Sequence, residues 1–169
     1  MTTIAEYQQR IEERKTIKQE SKTTVIISIS LILSTAILGL ISYLVKIKPV
    51  MGEKSLENIR GAASLVVVIL MVGILAAKRS IYYSPKFIKE DFTLKQVLQK
   101  WRTIDIILLI IAETIPICGL VLAFQGMPFD KNFHFFLGAG ILMFILMPMG
   151  IKVRSKLDIL RQHFPDSDI

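Results

Sequence analysis

The chain is poor in the residues from which most enzyme sites are built. It has one cysteine, Cys118, and two histidines, His134 and His163, in 169 residues. A single cysteine excludes an intramolecular disulfide. No pair of His, Cys or carboxylates has metal-ligand spacing, so no metal is expected. There is no glycine-rich phosphate loop, and no Ser or Cys stands in a nucleophile's setting. Cys118 reads as an inert packing residue. An enzyme is therefore unsupported, and no cofactor is expected.

Charge is also missing, but only locally. Asp, Glu, Lys and Arg make up 21% of the chain, yet four apolar stretches carry almost none of them. The chain is 52% hydrophobic and its mean hydropathy is +0.53. Those stretches lie at about 24–45, 61–77, 104–124 and 133–151, and a span needs about 20 apolar residues, with about 17 the lower limit. The fold expected is all-α, a transmembrane four-helix bundle. A polar amino tail (1–23) and a polar carboxy tail (152–169) flank the membrane domain. The first 22 residues are too polar for a cleavable signal peptide, so the first span is expected to serve as the insertion signal.

The net charge of +7 does not require nucleic acid, and nothing resembles a nucleic-acid module. Lys and Arg collect in alternate connections. The amino tail, second loop and carboxy tail together hold sixteen of the 21, against five in the first and third loops. The positive-inside rule then predicts an inner- or plasma-membrane protein with both termini in the cytoplasm. No internal repeat is visible, nor the half-helix motifs of an inverted-repeat transporter.

Along the chain, Thr3 and Glu6 fit a capping box opening a short solvated helix, whose apolar face (Ile4, Tyr7, Ile11) stops at Arg14 and Lys18. In span one, Ser28, Thr35, Gly39 and Ser42 share one side, as residues that let a neighbouring helix approach closely. Pro49 and Gly52 break the chain before span two. Arg60 and Lys78 are expected to snorkel at the ends of that short span, and Gly61, Gly73, Ala76 and Ala77 read as packing residues.

Segment 78–103 is basic, and Tyr82, Tyr83 and Trp101 in it read as membrane-interface residues, with Phe87 among them. Thr93 and Gln96 make a second capping-box match. Leu94, Val97, Leu98 and Trp101 then share a face, which predicts a short interfacial helix over about 93–102, before the third span. In span four, Gly138 is expected to pack against a neighbour, and Pro148 to bend the final turn. Met143, Met147 and Met149 read as core or lipid contacts.

The sharpest single feature is Glu113, near the middle of span three. A carboxyl there costs about 2.5–3.5 kcal/mol on insertion scales, so it should face protein or trapped water, or find a partner. Pro116 has no N–H to offer the Ala112 carbonyl, which frees an oxygen one residue from the carboxyl. Thr114 adds a hydroxyl, and Gly119 admits a close helix. Glu113, Thr114, Pro116 and Gly119 are thus the candidate ion-binding set. Asp105 stands two turns earlier, as a dipole partner at the helix start or a proton donor towards Glu113.

The run Glu113-x-x-x-Ile117-x-Gly119-Leu120-Val121-x-Ala123 resembles the outer, carboxylate-bearing helix of the proteolipid c subunit of rotary ATP synthases. That resemblance covers about a dozen residues and implies H⁺ or Na⁺ uptake at the glutamate. The chain departs from the family in having four spans, no Arg-Gln-Pro loop, and no tightly spaced glycines in span two. A broader stretch, 104–151, is similar to small bacterial polytopic membrane proteins that pair an Ala-Glu…Gly-Leu-Val-Leu span with an aromatic-rich final span. It implies a family without an activity. The function expected is therefore non-enzymatic: a subunit or interaction partner in a membrane assembly. The bilayer, a second copy or other membrane subunits are its expected partners. The alternatives are an H⁺- or Na⁺-binding subunit using Glu113 and a small transporter.

Overall fold

The computed structural model describes residues 4–49, 52–82, 93–148, 153, 157 and 158, without the side chains of 4–7, 9 and 10. Thr3, Tyr83, Phe87, Met149 and His163, and most of the carboxy tail, lie outside that set. Every regular element among the described residues is an α-helix: α1 (Ile4–Leu44), α2 (Glu53–Tyr82), α3 (Leu94–Ala112), α4 (Thr114–Phe124) and α5 (Phe129–Leu146). With α3 and α4 joined end to end, four helical stretches are long and apolar enough to cross a bilayer. This is an all-α, multi-pass membrane bundle.

The lead-in helix and the first span form one rod of 41 residues, about 60 Å long at 1.5 Å per residue. That is about twice the hydrocarbon thickness, so one end of α1 projects beyond the apolar layer. The segment expected as an interfacial helix is the first part of α3. The Thr93 N–H donates to the Gln96 side-chain oxygen at 3.0 Å and starts the helix there. Its apolar face does not lie on lipid. Val97, Leu98 and Trp101 pack with Ile17 of α1 and with Tyr82, Val153 and Leu157. The apolar face finds protein because α1 is long enough to supply it.

Consecutive α1 and α2 have no close backbone approach among the described residues, although one loop joins them. The antiparallel pair α3–α4 and α5 occupies the centre, with α1 and α2 each packed on it. Phe135, Ala139, Leu142, Met143 and Leu146 of α5 are fully enclosed, facing Leu108, Leu109, Ala112 and Ile115. Their spacing of three and four makes one helical face. To reach α2, the first loop crosses the α4–α5 turn at Gly126. That glycine has φ +92, and a Cβ there would stand 2.5 Å from Pro49 Cα. No other residue type combines that backbone with that approach.

α5 ends at Leu146, five residues short of the expected span end. Met147 is extended (φ −56, ψ 127), as a residue preceding proline tends to be. Pro148 therefore stops the helix instead of bending it.

Candidate functional site

Two polar sites are built inside the bundle, one on each flanking helix. The first is at Glu113, where the helix breaks between α3 and α4. Pro116 is buried one turn later and has no N–H for the Ala112 carbonyl. Ser34 of α1 donates to Glu113 Oε1 at 2.7 Å. Glu113 Oε2 is shielded from solvent and has no hydrogen-bond partner.

The rest of the sequence-derived set does not assemble around it. The Thr114 hydroxyl donates to the Ile111 carbonyl at 2.8 Å and is spent on its own helix. Gly119 faces α5, where a Cβ would meet Phe135 Cβ at 2.9 Å and Phe136 Cζ at 3.0 Å. Its role is the α4–α5 approach, not a wall of the carboxyl site. The partner that matters, Ser34, left almost no sequence signal. It neighbours Thr35 but lies off the stripe of small residues.

That stripe is turned inward. Ser28, Thr35, Gly39 and Ser42 are all buried. Ser28 donates to the Thr24 carbonyl at 2.8 Å, and Thr35 to Met143 Sδ at 3.6 Å. A Cβ placed on Gly39 would stand 3.4 Å from Phe136 Cγ, so α1 and α5 approach closely there. A Cβ placed on Gly138 would stand 3.7 Å from Met71 Sδ of α2.

The second site joins α2, α3 and the end of α5. Asp105 is 2% exposed, and Lys78 Nζ lies 2.9 Å from its Oδ1. The Tyr82 hydroxyl donates to its Oδ2. Lys78 also donates to the Leu146 carbonyl at 2.7 Å, an oxygen left open where Pro148 ends α5. The Tyr82 and Trp101 rings stack at 4.9 Å, and both are buried.

These contacts correct three expectations. Lys78 does not snorkel outward, because a buried carboxylate and a carbonyl compete for its ammonium. The Tyr82 and Trp101 rings are not turned outward to lipid, since they stack on each other and both are buried. Asp105 stands about three turns inside α3, beyond the reach of the helix-start dipole. The signal that would have found the cluster is a pair of one-turn spacings, Lys78–Tyr82 and Trp101–Asp105, at the same end of adjacent spans.

Smaller polar contacts tie α2 to α5 at the opposite end. Ser64 Oγ and His134 Nε2 are 3.0 Å apart, and Lys131 donates to Glu57 at 2.9 Å. Glu57 precedes the apolar run, and the Lys131 hydrogen bond and charge hold its carboxyl below the usual carboxylate range. Among the described residues, no cluster of three or more His, Cys, Asp or Glu could hold a metal ion.

The fold and its internal polar contacts define a class, an integral membrane protein of four spans. No family model, curated protein or solved structure matches the chain.

Proposed function

We propose that the chain is a non-enzymatic subunit or interaction partner in a membrane assembly. It would sit in an inner or plasma membrane with both termini cytoplasmic, as its Lys and Arg distribution favours. The observation that supports the assembly role is the thin attachment of α2. Only 11% of its most apolar window is buried inside the chain. Leu56, Val67, Ile74 and Tyr82 hold it to the bundle. Its outward side presents Ala62, Val66, Ile69, Gly73 and Ala76 at intervals of four, three, four and three, all exposed. Nothing lies within 4 Å of a Cβ placed on Gly73, so a neighbouring helix can come close there. On this reading Glu113 is an anchor that ties α1 to the α3–α4 break through Ser34. The weak resemblance to small bacterial polytopic proteins agrees with it and adds no activity.

The test is the mass of the particle extracted from native membranes in nanodiscs. An assembly is expected to exceed the 19.1 kDa of one chain, and Gly73→Leu to release it. A particle holding one chain and no other protein would end this reading.

A second reading, an H⁺- or Na⁺-binding subunit, is favoured by one observation: Glu113 Oε2 is enclosed and unpartnered beside the helix break. Labelling by a hydrophobic carbodiimide, which needs a protonated carboxyl, separates the two. Labelling of Glu113 suppressed by Na⁺ would support an ion site, and its absence in folded protein would support the anchor. A small transporter has no comparable observation behind it.

A further inference from the structure

An apolar groove of about 670 Å³ runs between α1 and α5 and opens on the outside of the bundle. Its walls are hydrocarbon and aromatic, including Phe133, Phe136 and Phe144. The Thr35 hydroxyl on that wall is turned to Met143. At one end the groove meets a second cavity of about 600 Å³, with Tyr43 and Phe129 lining both. This second cavity carries Lys46 and Lys48 against one carboxylate, Asp130. Both lysines are exposed, directly after the apolar run of α1 ends. The Gly126–Pro49 approach holds the segment that bears them against the α4–α5 turn.

We infer that groove and mouth together bind one anionic phospholipid with a hydroxyl-bearing head, of the phosphatidylglycerol class. Three features select that occupant. The groove extends from Ile32 to Tyr43 on α1 and from Phe129 to Phe144 on α5, about 16 and 22 Å at 1.5 Å per residue. Both fall short of the hydrocarbon core of about 30 Å that a full transmembrane helix would follow. An acyl chain of one leaflet fits that reach. The lysines, at the depth where a lipid phosphate lies, supply its counter-charge. Asp130 disfavours a second negative charge and accepts a hydrogen bond from a head hydroxyl. The site does not depend on the assembly proposed above, because it uses α1 and α5 and leaves the outer face of α2 free.

The full chain in nanodiscs containing equal trace amounts of phosphatidylglycerol or phosphatidylcholine, each with a diazirine in the same acyl chain, tests this. Mass spectrometry then maps the labelled peptides. Phosphatidylglycerol is expected to label the α1 and α5 groove about fivefold more, the ratio one uncompensated lysine charge gives at a membrane surface. Lys46→Gln with Lys48→Gln should remove the preference and keep the basal labelling. Gly140→Leu should lower labelling by both lipids, since nothing lies within 4 Å of a Cβ there and the side chain enters the groove. If that variant does not fold, Ala36→Leu on the facing wall serves the same purpose. Equal labelling by the two heads, or labelling spread evenly over α2, would each overturn the proposal.

Discussion

Lys78 and Asp105 form an ion pair, 2.9 Å apart, at the point where α2, α3 and the end of α5 converge. One ammonium serves a carboxylate and a helix-terminal carbonyl, and Tyr82 holds the other carboxylate oxygen. A buried pair of this kind specifies which helices meet more than it adds net stability, because desolvation offsets much of the attraction. Here it joins α2 to the central helices, to which α2 is otherwise held by few side chains.

Breaking this pair on one side is expected to be costly. Lys78→Met or Asp105→Leu should each lose about 3–5 kcal/mol, because either leaves an uncompensated charge. The double variant should lose clearly less than the sum of the two. Reversible unfolding in mixed micelles measures this, and strict additivity would show that the two residues are not coupled.

Tyr82→Phe keeps the stack on Trp101 and deletes only the hydroxyl that donates to Asp105. A loss of about 1.5–3 kcal/mol is expected, as for a hydrogen bond to a charged group. The same unfolding assay reads it, and an unchanged midpoint would mean that the hydroxyl contributes nothing.

The glycines of the central helices differ in what a methyl group would meet. Gly119→Ala pushes a carbon to within 2.9 Å of Phe135 Cβ and should cost about 1–3 kcal/mol by overpacking. Gly140→Ala meets nothing within 4 Å and should be neutral or stabilising by up to about 1 kcal/mol through helix propensity. Equal midpoints for the two variants would contradict the α4–α5 packing described.

Gly126→Ala adds an unfavourable left-handed backbone, worth about 1–2 kcal/mol, to a collision with Pro49. The expected outcome is release of the first loop from the α4–α5 turn. Limited proteolysis should then cut within 45–52 faster than in the parent chain, and an unaltered cleavage pattern would argue against the crossing.

Ser34→Ala tests the other polar site. Transmembrane side-chain hydrogen bonds average about 0.6 kcal/mol and reach about 1.7, so a loss in that range is expected. Glu113→Gln should keep most of the stability, since an amide oxygen can still accept from Ser34. If Glu113→Gln unfolded the protein while Ser34→Ala did not, the anchor role would be wrong.

Much of the architecture was legible in the chain because membrane spans announce themselves by length and polarity. The side-chain partners were not legible to the same degree. Glu113 stood out because a carboxyl within an apolar run is costly, but Ser34 is an ordinary hydroxyl on a distant helix. Thr114 and Gly119 looked like members of the same site by proximity in sequence. Helix geometry separates them from it: Thr114 bonds back to its own turn, and Gly119 points at α5. Tyr82 and Trp101 carry the usual mark of interface residues, and only the continuation of α1 beyond the apolar layer explains why they are enclosed.

The sequence by itself determined that four helical stretches cross a membrane, because unpaired backbone polar groups in hydrocarbon leave a helix as the economical choice for such runs. It also marked Pro116 and Pro148 as local disturbances, but that the helix is interrupted at Glu113 and ends at Leu146 was seen only in the structure. The tertiary structure decided which helices are neighbours. Lipid is as apolar as leucine, so composition cannot tell a buried face from a lipid-facing one. That choice rested on shape and on a few polar pairs between distant residues: Ser34 with Glu113, Thr35 with Met143, and Lys78 with Asp105.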